Sequence, residues 1–185
     1  LATYSDLAFR TAFGIYVLAL IASLIYYAGF RVAKVSEKEL VTAGGTGLTE
    51  SRSLTDTGDE ERASAGNVRW ARIAQLFVVL GFVFHAASLV LRGLSTERFP
   101  WGNMYEFILG STLLAVAAGL IWLRKPALQV VWPYLLVPIL VLLFFGGTHL
   151  YSDAAPVVPA LRSYWLPIHV SIIALGSGIL LIPGV

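Results

Sequence analysis

The stretch ARIAQLFVVLGFVFHAASLVL occupies residues 71–91 and is apolar at almost every position. A helix that crosses a membrane needs about 20 predominantly apolar residues, and this stretch has that length. Four further apolar stretches lie along the chain, at residues 9–30, 105–123, 128–145 and 165–185. The sequence therefore predicts an all-α, polytopic transmembrane helix bundle of about five spans.

The composition excludes an ordinary soluble domain. Hydrophobic residues make up 57% of the 185 residues, and charged residues make up only 13%, whereas soluble domains carry about 25% charged residues. No cysteine is present, which excludes a disulfide framework, a thiolate metal site and a cysteine nucleophile. Any metal ligand must therefore come from another residue type.

The chain divides into three predicted parts. Residues 1–30 form the first transmembrane helix, residues 31–70 form a polar segment with the composition of a disordered connector, and residues 71–185 carry the other four helices. Loops on the side of the polar segment carry eight Lys and Arg residues, and loops on the other side carry four. Since Lys and Arg accumulate on the cytoplasmic side, we expect the polar segment to be cytoplasmic and the N-terminus to lie outside.

Three histidines lie within or beside the apolar stretches. An ionisable residue such as His85 is costly in hydrocarbon unless it is paired or ligated, and neutral imidazole commonly binds metals and heme iron. His85 could hydrogen-bond to a Ser, a Thr or a backbone carbonyl of a neighbouring helix, or it could bind a ligand, and the sequence leaves both open. His149, four residues before Asp153, is interpreted as a helix-end or loop histidine.

His169 lies in the segment PALRSYWLPIHV, residues 159–170, seven residues after Arg162 and four after Trp165. Interfacial Trp residues usually anchor the end of a transmembrane helix, which explains Trp165 but neither the histidine nor the arginine. An imidazole near a guanidinium would suit a metal porphyrin that carries propionates, because Arg pairs with carboxylates in a bidentate fork. This segment is a second candidate ligand site, predicted on the outer side.

The segment RGLSTERFPWGNMYEF, residues 92–107, is a third dense patch of candidate residues. Trp101 and Tyr105 supply flat aromatic surface at the predicted interface. Asn103 as N-cap and Glu106 three residues later would form a capping box that starts the third helix. The sequence leaves open whether Glu106 is structural or functional.

Three motifs in this order resemble the CcsA/ResC-type proteins of cytochrome c biogenesis, system II, which are called CcsB in actinobacteria. They are FHAASLVLRG at residues 84–93, RFPWGNMYEF at residues 98–107 and PALRSYWLPIHV at residues 159–170. The resemblance covers residues 71–185. Members of this family are heme-handling membrane proteins that pass heme across the membrane and present it to apocytochrome c, whose CxxCH thiols add to the heme vinyl groups.

The resemblance implies heme b as the cofactor, with His85 as the family's membrane histidine and His169 as an axial ligand at an outer heme site. Further implied heme-binding residues are Arg162, Trp165, Trp101 and Tyr105. The implied partners are a ResB-type membrane protein, apocytochrome c, a thioredoxin-like reductant of the CxxCH thiols and the lipid bilayer, with no nucleic acid. The implied location is the plasma membrane of a bacterium, with the heme site on its outer face.

The sequence departs from this family in one large respect. The tryptophan-rich heme-binding segment, the WWD motif, and the second external histidine are absent, and both would lie beyond Val185. We therefore expect the chain to be part of a heme lyase complex and to be inactive alone. The alternative prediction is a non-catalytic membrane transporter or structural subunit, whose histidines serve as a proton path or as helix contacts.

Overall fold

The computed structural model describes residues 1–43, 54–97, 99–123, 126–153 and 165–181. These residues form five α-helices and one short 3-10 helix, and they contain no strand. The helices are α1 (Ala2–Ala43), α2 (Leu54–Thr96), α3 (Met104–Trp122), α4 (Trp132–His149) and α5 (Trp165–Leu180), with the 3-10 helix at Pro126–Val131. The predicted all-α class is confirmed.

Within the part of the chain that the structure describes, four stretches are long and apolar enough to cross a membrane, so the chain is an integral membrane protein. They are Ala2–Gly29, Val68–Thr96, Met104–Trp122 and Leu128–His149. The fifth predicted span forms the shorter apolar helix α5, which has 16 residues. Its predicted last residues, 182–185, lie outside the described residues.

Helix extends beyond the apolar part of both α1 and α2. α1 continues to Ala43 and α2 begins at Leu54, so most of the segment 31–70, expected to be a disordered connector, is helical. The Ala, Glu, Lys and Arg residues of this segment have high helix propensity, and an existing helix extends more easily than a new one nucleates. Residues 44–53 lie outside the described residues, and the cytoplasmic location stays a prediction.

Consecutive long helices run antiparallel, and polar pairs mark both ends of the bundle. The Ser5 hydroxyl near the start of α1 donates to the Ser88 carbonyl near the end of α2, at 2.8 Å. At the opposite end, the Tyr134 hydroxyl at the start of α4 donates to the Tyr27 hydroxyl of α1, at 2.8 Å. We call the end with Ser5 the outer end, following the predicted orientation, and the end with Tyr27 the inner end.

The core lies between α1, α2, α3 and α4, and α5 packs on the side of α3. Small residues bring α3 and α5 close together. A Cβ atom at Gly178 of α5 would lie 2.8 Å from the Ser111 carbonyl oxygen and 2.9 Å from the Ala115 amide nitrogen of α3. Small residues allow this backbone approach between membrane helices, whose association depends on packing contacts rather than on the hydrophobic effect.

Candidate functional site

His85 is completely buried on α2, seven residues before Arg92. Its Nδ1 atom lies 3.4 Å from the hydroxyl oxygen of Tyr16 on α1, and the two rings meet edge to face with centroids 5.9 Å apart. The backbone of Leu109 on α3 also approaches the imidazole. The Nε2 atom is buried and has no hydrogen-bond partner among the described residues. One ring nitrogen therefore faces Tyr16, and the other is unsatisfied.

Gly81, one helical turn before His85, leaves room for the Tyr16 ring because it has no side chain. A Cβ atom at this glycine would lie 2.7 Å from Tyr16 Cε1 and 2.8 Å from Cδ1. A glycine inside a helix is destabilising by about 0.5–1 kcal/mol relative to alanine. The close contact with Tyr16, which is itself fully buried, gives a physical reason for this glycine.

The surroundings of His85 bear on the two roles that the sequence left open. The Leu109 backbone on α3 is the kind of contact that the structural role predicts, whereas the Tyr16 hydroxyl was not expected from the sequence. An unsatisfied buried polar atom costs about 1–3 kcal/mol, and a metal-binding histidine typically uses one nitrogen for the metal and the other for a hydrogen bond. Nε2 of His85 is therefore a nitrogen donor that heme iron could use. Because the ring has no exposed surface, a ligand reaches Nε2 only when neighbouring groups move apart.

A second buried polar cluster lies at the outer end, around Arg92 and Glu106. The Arg92 Nε donates to Glu106 Oε1 at 3.0 Å, and the two side chains are 2% and 0% exposed. The Gly102 amide donates to Glu106 Oε2 at 2.6 Å, and a guanidinium nitrogen of Arg92 donates to the Ser152 carbonyl. This cluster ties together the end of α2, the start of α3 and the segment that follows α4.

Two tyrosines flank the guanidinium of Arg92. Its central carbon lies 4.8 Å from the Tyr105 ring centroid and 5.9 Å from the Tyr151 ring centroid, within the range of cation–π attraction. The Tyr151 hydroxyl donates to Asp6 Oδ2 of α1 at 2.8 Å. This hydrogen bond, together with partial burial, raises the pKa of the Tyr151 phenol above its ordinary value. Tyr105 is buried, so it contributes to packing at this cluster.

The predicted N-cap of the third helix is confirmed. Asn103 is the N-cap of α3 in an extended conformation, and its side chain accepts from the Glu106 amide at 2.8 Å. The Glu106 carboxylate binds Arg92 and the Gly102 amide. Of the two roles that the sequence left open for Glu106, these contacts favour the structural one.

Trp101 packs back onto α3. Its indole ring covers Gly110, where a Cβ atom would overlap the ring, and it lies 6.5 Å from the Phe107 ring, centroid to centroid. The aromatic surface expected for a ligand is therefore partly used for contacts within the chain.

His169 and Trp165 lie on the exposed face of α5, where Trp165 is 70% exposed. The opposite face, with the buried Ala174 and Gly178, packs against α3. His85 is enclosed by α1, α2 and α3, so the structure does not bring the two histidines into one site. Arg162 lies outside the described residues.

The remaining sequence candidate is His149, the last residue of α4. It is exposed, and its ring lies 5.1 Å from the Phe145 ring, centroid to centroid. The interpretation as a helix-end histidine is confirmed.

An open apolar groove of about 500 Å³ lies beside the last turns of α2, and His85 is not among its lining residues. Its lining residues are Leu89, Val90, Gly93, Leu94, Glu97, Phe99 and Pro100. These residues include no histidine or other nitrogen ligand for heme iron. The described residues also contain no group of three or more His, Cys, Asp and Glu side chains that could hold a metal ion.

Sequence reasoning missed two residues, Arg92 and Tyr16. Arg92 entered the sequence analysis only as part of longer segments, although an arginine that ends an apolar stretch and precedes an acid near the next stretch suggests an ion pair. Tyr16 carries no such signal, because a tyrosine within an apolar stretch is common and its partner lies 69 residues away.

No family model matches the chain. It is similar to curated proteins named cytochrome c biogenesis protein CcsA. That of Synechococcus sp. (strain RCC307) is 36% identical over 121 residues, which cover 60% of this chain and 37% of the relative. That of Parasynechococcus marenigrum (strain WH8102) is 35% identical over 114 residues, covering 60% and 37%. That of Prochlorococcus marinus (strain NATL2A) is 34% identical over 113 residues, covering 59% and 36%.

The matched region spans little more than a third of the length of these relatives. The chain is thus similar, over about 60% of its length, to part of a CcsA-type cytochrome c biogenesis protein, and the resemblance seen in its sequence motifs is confirmed.

Proposed function

We propose that the chain is part of a CcsA-type protein that acts in cytochrome c biogenesis and binds heme through His85. The observation that carries this proposal is the unsatisfied Nε2 atom of His85, which is buried while Nδ1 faces the Tyr16 hydroxyl. The relatives named CcsA support the role in cytochrome c biogenesis. The buried imidazole supports heme as the molecule that is handled.

In this proposal the residues of the chain bind and orient heme b rather than react with it covalently. Nε2 of His85 would hold the heme iron, and the enclosure of this side chain between α1, α2 and α3 would keep water away from it. Bound heme supplies an iron whose reduction potential depends on its axial ligands and on burial. The chain contains no cysteine, so the thiols that attack the heme vinyl groups would belong to the CxxCH segment of the apocytochrome.

The outer heme site belongs to the same proposal. His169 is exposed on α5, so a ligand can reach it from outside the bundle. Trp165 lies one helical turn earlier on the same face, and its exposed ring could stack on a porphyrin. The role proposed for Arg162 is to pair with a heme propionate.

The proposed location is the plasma membrane of a bacterium, with this site on the outer face. The proposed partners are a ResB-type membrane protein, apocytochrome c and a thioredoxin-like reductant of its CxxCH thiols. The complete heme lyase would need these partners and the parts of a CcsA-type protein that the matched region does not cover.

One observation favours a different function. The complete burial of His85 is also expected of a structural membrane subunit, in which the imidazole only joins α1 to α2. In that case the loss of His85 would weaken the bundle, and no chromophore would be involved.

The test is the visible spectrum of the full-length protein, purified with its partner from heme-replete membranes. Wild-type protein and the control variant His149→Ala should show a Soret band, whereas His85→Ala should lose most of it at equal protein recovery. A Soret band of unchanged intensity in His85→Ala, or its absence from the wild-type protein, would contradict heme binding at this residue. Heme staining of cytochrome c in the same cells measures the effect on biogenesis.

A further inference from the structure

We infer that Tyr16 is a positioning residue for His85: its hydroxyl accepts a hydrogen bond from Nδ1–H and leaves the Nε2 lone pair for heme iron. This inference rests on the proposed role of His85 as a heme ligand. It adds a residue on α1 that the sequence motifs do not contain.

The geometry fixes the Tyr16 hydroxyl at one edge of the imidazole. The oxygen lies 3.4 Å from Nδ1, a long hydrogen bond, and the rings meet at an interplanar angle of 79°. Both side chains are fully buried. Gly81 lies directly against the tyrosine ring. A residue with a side chain at this position of α2 would therefore displace the ring.

The tautomer follows from the ligand role. A neutral imidazole carries one N–H donor and one acceptor nitrogen, and a metal binds the nitrogen without the proton. If Nε2 binds iron, Nδ1 carries the proton and needs an acceptor, since an unsatisfied buried donor is costly. Metal-binding histidines meet this need with a neighbouring oxygen, which also increases the basicity of the ligand. The Tyr16 hydroxyl can accept a hydrogen bond. Among the described residues, it is the side-chain oxygen that lies within hydrogen-bond distance of Nδ1.

The test compares Tyr16→Phe with the matched control Tyr27→Phe in the full-length protein loaded with heme. Each variant removes one tyrosine hydroxyl from α1. The Tyr27 hydroxyl is a suitable control because it pairs with Tyr134 at the inner end and not with His85. We expect heme transfer to excess apomyoglobin to become about tenfold faster in Tyr16→Phe, with a more positive reduction potential, because the imidazole becomes a weaker donor to ferric iron. The control should change neither quantity.

A second variant displaces the hydroxyl without removing it. In Gly81→Ala the new methyl group would lie 2.7 Å from Tyr16 Cε1, so the ring must move away from His85. We expect the same direction of change in heme transfer and in potential as in Tyr16→Phe.

The outcomes separate this inference from the function on which it rests. Loss of heme in His85→Ala with unchanged heme transfer and potential in Tyr16→Phe would overturn the role of Tyr16 alone, and would leave the Leu109 backbone as the acceptor. Retention of heme in His85→Ala would overturn the proposed function itself. Equal changes in Tyr16→Phe and Tyr27→Phe would show a general packing effect and would also overturn the inference.

Discussion

The guanidinium of Arg92 and the carboxylate of Glu106 form an ion pair, 3.0 Å from Nε to Oε1, that is almost completely removed from solvent. The two residues are 14 positions apart and belong to different helices. Their pairing fixes how α2 ends and how α3 begins, at the end of the bundle where we propose that heme is presented.

Neutralising Glu106 should destabilise the bundle strongly. In Glu106→Gln the positive charge of Arg92 would stay buried without its counter-charge, and breaking a buried ion pair in this way costs about 3–5 kcal/mol. Thermal or denaturant unfolding of the purified protein in detergent measures the effect. Glu97→Gln is the control, because Glu97 is exposed and surface substitutions usually change stability by less than about 0.5 kcal/mol. Equal stability of the two variants would show that the pair contributes little.

Adding a methyl group at Gly178 should separate α5 from α3. Its Cβ would lie within 3 Å of two backbone atoms of α3, which cannot move as a flexible side chain can, so Gly178→Ala should destabilise this contact by about 1–3 kcal/mol. Gly176 lies on the same helix with no atom within 4 Å of the corresponding position, and Gly176→Ala is the matched control. Protease sensitivity of α5 in detergent should rise in the first variant only.

The predicted orientation is testable because the chain has no cysteine of its own. A single cysteine at Asp153, an exposed position, should react with a membrane-impermeant maleimide in intact cells, since the side with fewer Lys and Arg residues is expected to be the outside. A cysteine at Ser36, in the segment predicted to be cytoplasmic, should react only after the cells are lysed. The reverse pattern would place the N-terminus inside.

Tyr151 should titrate at higher pH than an ordinary tyrosine. The hydrogen bond that its phenol donates to Asp6 raises the pKa of Tyr151 above the ordinary value of about 10. Stabilisation from a raised pKa is fully present below the ordinary value and is lost as the pH rises through the higher folded value, so this contact persists throughout the neutral range. The difference in phenolate absorbance between the wild-type protein and Tyr151→Phe measures this titration, and a midpoint at or below 10 would contradict the prediction.

The relation between sequence and structure differs from one residue to another. The N-cap at Asn103 is predicted correctly because a capping side chain binds an amide three residues away. Such a contact depends only on residues that are close in the sequence. The extent of α1 and α2 was underestimated, since the polar composition of residues 31–70 favoured a connector and the helices continue into it.

The membrane class and the positions of four spans follow from the sequence alone, because the length and hydropathy of a stretch decide whether it can cross a bilayer. The sequence also singled out His85 as a buried ionisable residue. The packing of the helices shows in addition that Tyr16 faces one nitrogen of His85, that Glu106 neutralises Arg92 and that His169 is exposed on α5. These relationships join residues of different helices, and they depend on how the helices rotate and pack against each other, which the hydropathy of each separate stretch does not specify.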